Sequence, residues 1–146
     1  MADIERVRAT VERYLKSIFN QVTIDSDGDY SVRAGSARVF IRPEAAGSGP
    51  EAPTVLALWT ILLRNVNAGP ELYEHIAFHA DDYRFGHLSL HRASDGGVTV
   101  LFSHQLLADY LDEPELGFAT SALVRTADEL DDELQSRFGG TRFHER

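Results

Sequence analysis

The side chains of this 146-residue chain that could do chemistry fall into a few groupings, and each stops short of a site. Asp25-Ser26-Asp27-Gly28-Asp29 sets carboxylates at alternate positions, as a calcium loop would. An EF-hand loop needs glycine at its sixth position and a bidentate glutamate at its twelfth. Here glycine is fourth and the twelfth residue is Ser36, so the run reads as an Asx-rich turn. His75 and His79 stand four apart on a predicted helix, a zinc-compatible spacing, but Ile76 occupies the position where an H-E-x-x-H motif needs an acid. His87 and His91 share one face of a predicted strand about 13 Å apart, too far to hold one ion. Ser103 and His104 are neighbours on a strand and must point to opposite faces, and there is no G-x-S-x-G elbow. The glycines at 47 and 49 lack the lysine of a phosphate loop. The expectation is no catalytic residue, no metal and no cofactor.

The elements that would position these groups follow from periodicity. Ile4, Val7, Val11, Leu15 and Ile18 form a helical stripe from about Asp3, the N-cap, to Phe19. Val22–Ile24 is a short run ended by the aspartate turn. Residues 30–33 and 37–42 form a hairpin across Ala34-Gly35-Ser36, where glycine tolerates a positive φ. The stretch 43–53, PEAAGSGPEAP, holds three of the five prolines and reads as one mobile loop. Residues 54–66, TVLALWTILLRNV, are apolar on both alternating sets, the mark of a central strand covered on both faces. A second helix over ELYEHIAFHADDY turns Leu72, Tyr73, Ile76, Ala77, Ala80 and Tyr83 inward. Residues 86–92 and 98–104 make a second hairpin around Ala93–Gly97. The last helix carries its own punctuation: Asp112 as N-cap, Glu115 completing a capping box, Pro114 in the first turn and Gly139-Gly140 at the end. Its buried stripe is Leu116, Ala119, Leu123, Ala127, Leu130, Leu134 and Phe138. The order α-β-β-β-α-β-β-α predicts an α+β fold, a single antiparallel sheet of about five strands with helices packed on one face. One domain spans 1–146, with 140–146 a flexible tail.

Alternation then separates the two faces of the sheet. Ala37, Val39, Ile41, Leu88, Leu90, Val98, Val100 and Phe102 point under the helices. Arg38, Arg42, His87, Ser89, His91, Thr99 and Ser103 point away, with Phe40 and Leu101 among them. If Thr60 marks the outer register of the central strand, Leu56, Leu58 and Leu62 join that outer set. Large apolar groups on an otherwise polar face mark a surface that a partner covers, unless a loop or the chain ends do so.

Composition narrows the function classes. The net charge is −9, and residues 112–138 carry −6 of it, so no basic stripe suits duplex nucleic acid. No apolar run reaches the ~20 residues of a membrane span, and the amphipathic N-terminus is not a secretory signal. There is no cysteine, hence no disulfide framework, and a cytoplasmic address is expected.

The pieces GDYSVRAGSARVFIR, PELYEHIAFHADDYRFGHLSLHR, SHQLLADYLDEPEL and ADELDDELQSRFGG together resemble the YbjN-like proteins of actinobacteria, which are grouped with the type III secretion chaperones of the CesT class. The likeness runs from about Ile4 to Gly140 and rests on packing and turn features. It implies a non-enzymatic, often dimeric domain that binds an extended or partly folded client peptide. The expected function is therefore a peptide-binding chaperone or adaptor. Its platform would be Phe40, Leu56, Leu58, Leu62 and Leu101, rimmed by Arg38 and Arg42. The alternative is a homodimeric regulatory module that uses the same face for its second subunit, and the third class is an enzyme.

Overall fold

The structure is a computed structural model that describes residues 3–35 and 37–143, the side chain of Ala34 excepted. Three helices and seven strands follow one another as α1 (Ile4–Ile18), β1 (Val22–Ile24), β2 (Tyr30–Ala34), β3 (Ala37–Ala45), β4 (Thr54–Arg64), α2 (Pro70–His79), β5 (His87–Arg92), β6 (Val98–Leu107), α3 (Glu113–Phe138) and β7 (Thr141–Arg142). All strand pairs are antiparallel, in the order β1-β2-β3-β4-β6-β5, with β7 added to the end of β4. The two strands beyond the expected five are the shortest. β1 continues the β2 ladder through Val22–Ile24, and β7 is two residues placed by the turn after α3.

α1 and α3 cover one face. Val7, Val11 and Leu15 from α1 and Leu116, Ala119, Leu123, Ala127, Leu130, Leu134 and Phe138 from α3 are buried, as their spacing requires. The Asp3 side chain accepts from the Arg6 N–H and the Asp112 side chain from the Glu115 N–H, so both helices start where their caps stand. α2 departs from the expected pattern. Only Leu72 is buried, Ile76 and Ala80 are half-buried, and Tyr73 and Ala77 face solvent. This ten-residue helix lies beside the edge strand β5 and has one narrow stripe, at four-residue steps, to bury.

The 43–53 loop is also shorter than expected. Pro43, Glu44 and Ala45 belong to β3 and pair with Leu56, Val55 and Thr54. β2 ends at the Tyr30↔Ile41 pair, so Pro43 has no neighbour on that side to miss its N–H. Of the expected tail, Thr141 pairs with Arg64 and Arg142 with Leu63, and an Arg142–Asp132 ion pair joins the segment to α3, while residues 144–146 lie outside the described residues. Among the described residues no helix is long and apolar enough to cross a membrane.

Candidate functional site: the helix-free face of the sheet

The central strand shows why the two faces differ from the expected assignment. Direct cross-strand partners share a face, and Leu58 is the partner of Ile41, which is fully buried under the helices. Leu56, Leu58 and Leu62 are therefore core residues, 0%, 1% and 2% exposed, and cannot form a partner platform. Thr60, taken as the outward marker, is buried with them. The parity of β4 is the reverse of the expected one, and Val55, Ala57, Trp59 and Ile61 take the outer side. A bulge at Leu62 lets both Leu62 and Leu63 turn inward, after which Arg64 stands with the outer set.

Phe40, Leu101, Arg38 and Arg42 do point away from the helices, as expected. Phe40 is the cross-strand partner of Trp59, and their rings stack with centroids 5.6 Å apart. Ile61 is the partner of Leu101 on the other side of β4. These four residues form one apolar ridge across β3, β4 and β6. Phe143, just past β7, sets its ring edge-on to Phe40 at 5.8 Å, with the Arg64 guanidinium over the Phe143 ring at 5.2 Å. The chain end thus covers one flank of the ridge. Two shallow hollows of ≈450 and ≈390 Å³ adjoin it; both are lined by Trp59 and Leu101. The first continues to Arg64, Asn65 and His91, the second to Arg42, His87 and Gln105.

Arg42 anchors the second hollow. Its guanidinium donates to both carboxylate oxygens of Asp29 at 2.6 and 2.7 Å and lies over the Trp59 ring at 5.1 Å. The Asp29 side chain is only 5% exposed. The bidentate bond holds the guanidinium charged, its pKa raised first by that hydrogen bond, and fixes it as a flat lid on the indole.

The other sequence candidates do not come together. Asp25, Asp27 and Asp29 cluster closely enough to suggest a cation, yet the Asp25 Oδ1 accepts the backbone N–H of Asp27 and Asp29, and both Asp29 oxygens serve Arg42. Two of the three carboxylates, those of Asp25 and Asp29, are thus engaged by an Asx turn and an ion pair. His75 accepts from Arg137 at its Nδ1 (3.0 Å) and His79 pairs with Asp82 (2.8 Å). The His75 pKa is lowered by burial and then by Arg137 and His79. Ser103 lies on the outer face opposite Trp59, whereas His104 turns inward opposite Leu58 and accepts the Gly86 N–H at its Nδ1. Serine and histidine are therefore on opposite faces. Burial, then His87, lowers the His104 pKa.

Sequence reasoning missed Trp59, Ile61 and Phe143. Trp59 was within reach, because pairing Ile41 with a core residue of β4 fixes the parity of the whole strand.

Residues 5–146 match the family described as T3SS (YopN, CesT) and YbjN peptide-binding chaperone 1 (TY-Chap1). The chain belongs to this family. TY-Chap1 membership covers all of the fold but the first residue of α1, β7 included, and makes the protein a member of a class of peptide-binding chaperones. Comparison with curated proteins returns no match.

Proposed function

We propose that this TY-Chap1 protein is a non-enzymatic chaperone or adaptor that holds an extended client segment against the helix-free face of its sheet. The observation that carries this reading is the Phe40–Trp59 stack, continued by Ile61 and Leu101, on a face that no helix of the described residues covers. Apolar side chains of the client would fill the hollows on either side of the ridge, removing its surface from water. β5 is an edge strand of six residues, three strands and about 14 Å from β3, and strand addition there would supply backbone hydrogen bonds to a separate stretch of the client.

The test is Phe40→Asp. Phe40 touches Trp59 and Phe143 rather than the helix-side core, so the substitution should cost about 1–3 kcal/mol in lost ring contacts and leave the fold intact by circular dichroism. A client that co-purifies with the wild-type chain in pull-down with mass spectrometry should be lost, because a charge would be desolvated against its apolar side chains. If the variant stays folded and keeps its client, the face is not the binding site. If light scattering shows that the variant loses only a dimer, the face serves a second subunit.

A further inference from the structure

We propose that Arg33 and Arg38 form a carboxylate-recognition pair, which makes the preferred client an extended segment with an acidic residue two positions from an apolar anchor. This rests on the reading of the sheet face as the client site and names the client's chemistry. Arg33 and Arg38 are direct cross-strand partners on β2 and β3, on the same face as Phe40. Like charges directly opposite one another in a sheet oppose the fold. Among the described residues neither arginine makes an ion pair or a side-chain hydrogen bond.

Arg42 is placed differently. Four residues along β3 from Arg38, and on the same face, the protein supplies a buried carboxylate, Asp29, bonded to that arginine through both oxygens. At the opposed pair it supplies none, although the chain has 23 acidic residues against 14 Lys and Arg. The acid-rich turns of α3, with Asp128, Glu129, Asp132 and Glu133, lie on the helix side of the sheet. An acidic ligand would relieve the repulsion and find two guanidinium forks shaped to accept carboxylate oxygens.

Geometry sets the spacing of that ligand. Arg38 is two residues from Phe40, about 6–7 Å along the strand. In an extended peptide, residues two apart face the same side and are separated by the same distance. A client residue resting on the Phe40–Trp59 ridge therefore presents the residue two positions away to the arginine pair.

Trp59 is the chain's only tryptophan and forms part of the ridge, so its fluorescence reports occupancy of this site. The probes are three synthetic peptides identical except for Glu, Gln or Lys two positions from a phenylalanine. The Glu peptide should bind about two- to fivefold tighter than the Gln peptide, and the Lys peptide weaker than both. Raising salt from about 0.05 to 0.5 M should compress these differences. Arg38→Glu should reverse the order in favour of the Lys peptide, while Arg38→Lys should keep it. Arg38→Glu should also raise the melting temperature, since the new carboxylate faces Arg33; a lower melting temperature contradicts the like-charge argument. If all three peptides perturb Trp59 with equal affinity, the arginine pair does not select and only the sheet-face reading survives. If none perturbs Trp59, the sheet-face reading fails and takes this proposal with it. Salt-sensitive self-association in sedimentation, abolished by Arg38→Glu, would assign the pair to the acidic helix of a second copy and overturn the client assignment.

Discussion

Leu58 and Trp59 are adjacent in sequence and opposite in consequence, so one substitution placed at each tests the parity of β4 directly. Leu58 is 1% exposed and sits between the inward partners Ile41 and His104. Leu58→Asp removes a buried leucine, worth about 2–5 kcal/mol with the space it leaves. It also introduces a carboxylate that must be desolvated or neutralised, for several kcal/mol more. Against a total stability of about 5–15 kcal/mol, that change should leave the protein largely unfolded. Trp59→Asp loses the Phe40 stack, about 0.5–1.5 kcal/mol, and the Arg42 cation–π contact, about 0.5–1 kcal/mol. Its carboxylate would emerge on the open face beside Arg42, where no burial penalty applies.

The expected cost of Trp59→Asp is about 1–3 kcal/mol, or a fall in melting temperature of roughly 2–10 °C for a chain of this length. Far-UV circular dichroism with a thermal melt reads both variants. A folded Leu58→Asp beside an unfolded Trp59→Asp would show that Thr60 does mark the outer register and that the ridge described above is core. Unfolding of both would mean that the outer face is itself sealed, by the segment bearing Phe143 or by a second subunit.

Three further outcomes follow from single contacts. The His104 and His75 pKa values are lowered below their ordinary 6.5, His104 and His75 each first by burial, and each Nδ1 accepts a hydrogen bond that only the neutral ring can accept. The unfolded chain therefore binds these protons first, so stability should be lost as the pH falls below about 6.5 and regained on raising it; thermal melts should show this slope, and His104→Asn, which keeps an acceptor for the Gly86 N–H, should flatten it. Gly86 has φ +101°, and a Cβ there would stand 2.5 Å from the buried Phe102 ring, so Gly86→Ala should cost at least about 2 kcal/mol in urea unfolding; an unchanged midpoint would contradict the close approach. Because the oxygens of Asp29 serve Arg42, EDTA should leave the melting temperature where it was, whereas a fall of many degrees reversed by calcium or zinc would mean the aspartate turn or the histidines hold an ion.

How much of this fold the sequence discloses depends on how local each determinant is. The stripe and ends of α3 are legible, since the stripe repeats within one helix and Asp112, Glu115 and Gly139 punctuate it within a few residues of its ends; the burial of Asp131, in the run of acids expected to face solvent, is not. The outward position of Phe40 is legible for the same reason, because Val39 and Ile41 on either side are apolar and Arg38 and Arg42 two residues away are charged. β4 fails because it is apolar on both faces, so local alternation carries no sign. Its parity is decided elsewhere, by the pairing of Leu58 with Ile41. Thr60 misleads because a threonine can be buried under helices when its neighbours on the ladder are. β7 and Phe143 have no local signal. Gly139 at φ +71° and Gly140 at φ +84° turn the chain back so tightly that a Cβ on Gly140 would meet the Arg64 carbonyl at 2.6 Å. That approach depends on where β4 ends, which no window around residue 140 contains.

The same two-sidedness that hides the parity of β4 bears on what the protein is for. A strand whose outer residues are Val55, Ala57, Trp59 and Ile61 gains nothing from its own helices on that side, since α1 and α3 pack on the other. Those residues would reduce solubility if left to water, and Phe143 packs on the Phe40 flank of the ridge. Indiscriminate cover is opposed by the charges around it. Arg33, Arg38, Arg42 and Arg64 stand on the outer face of a chain whose net charge is −9, and like-charged neighbours deter stacking of one such face on another. On the reading proposed here the apolar ridge supplies affinity with little regard to sequence, and the arginines decide which segment is admitted. A second subunit whose two-fold axis passed through Arg33 and Arg38 would bring the pair toward its own copy, which is the arrangement that the charges oppose. A segment with carboxylates at the right spacing meets no such objection, and that asymmetry favours a client over a dimer centred on the arginine pair as the occupant of this end of the face.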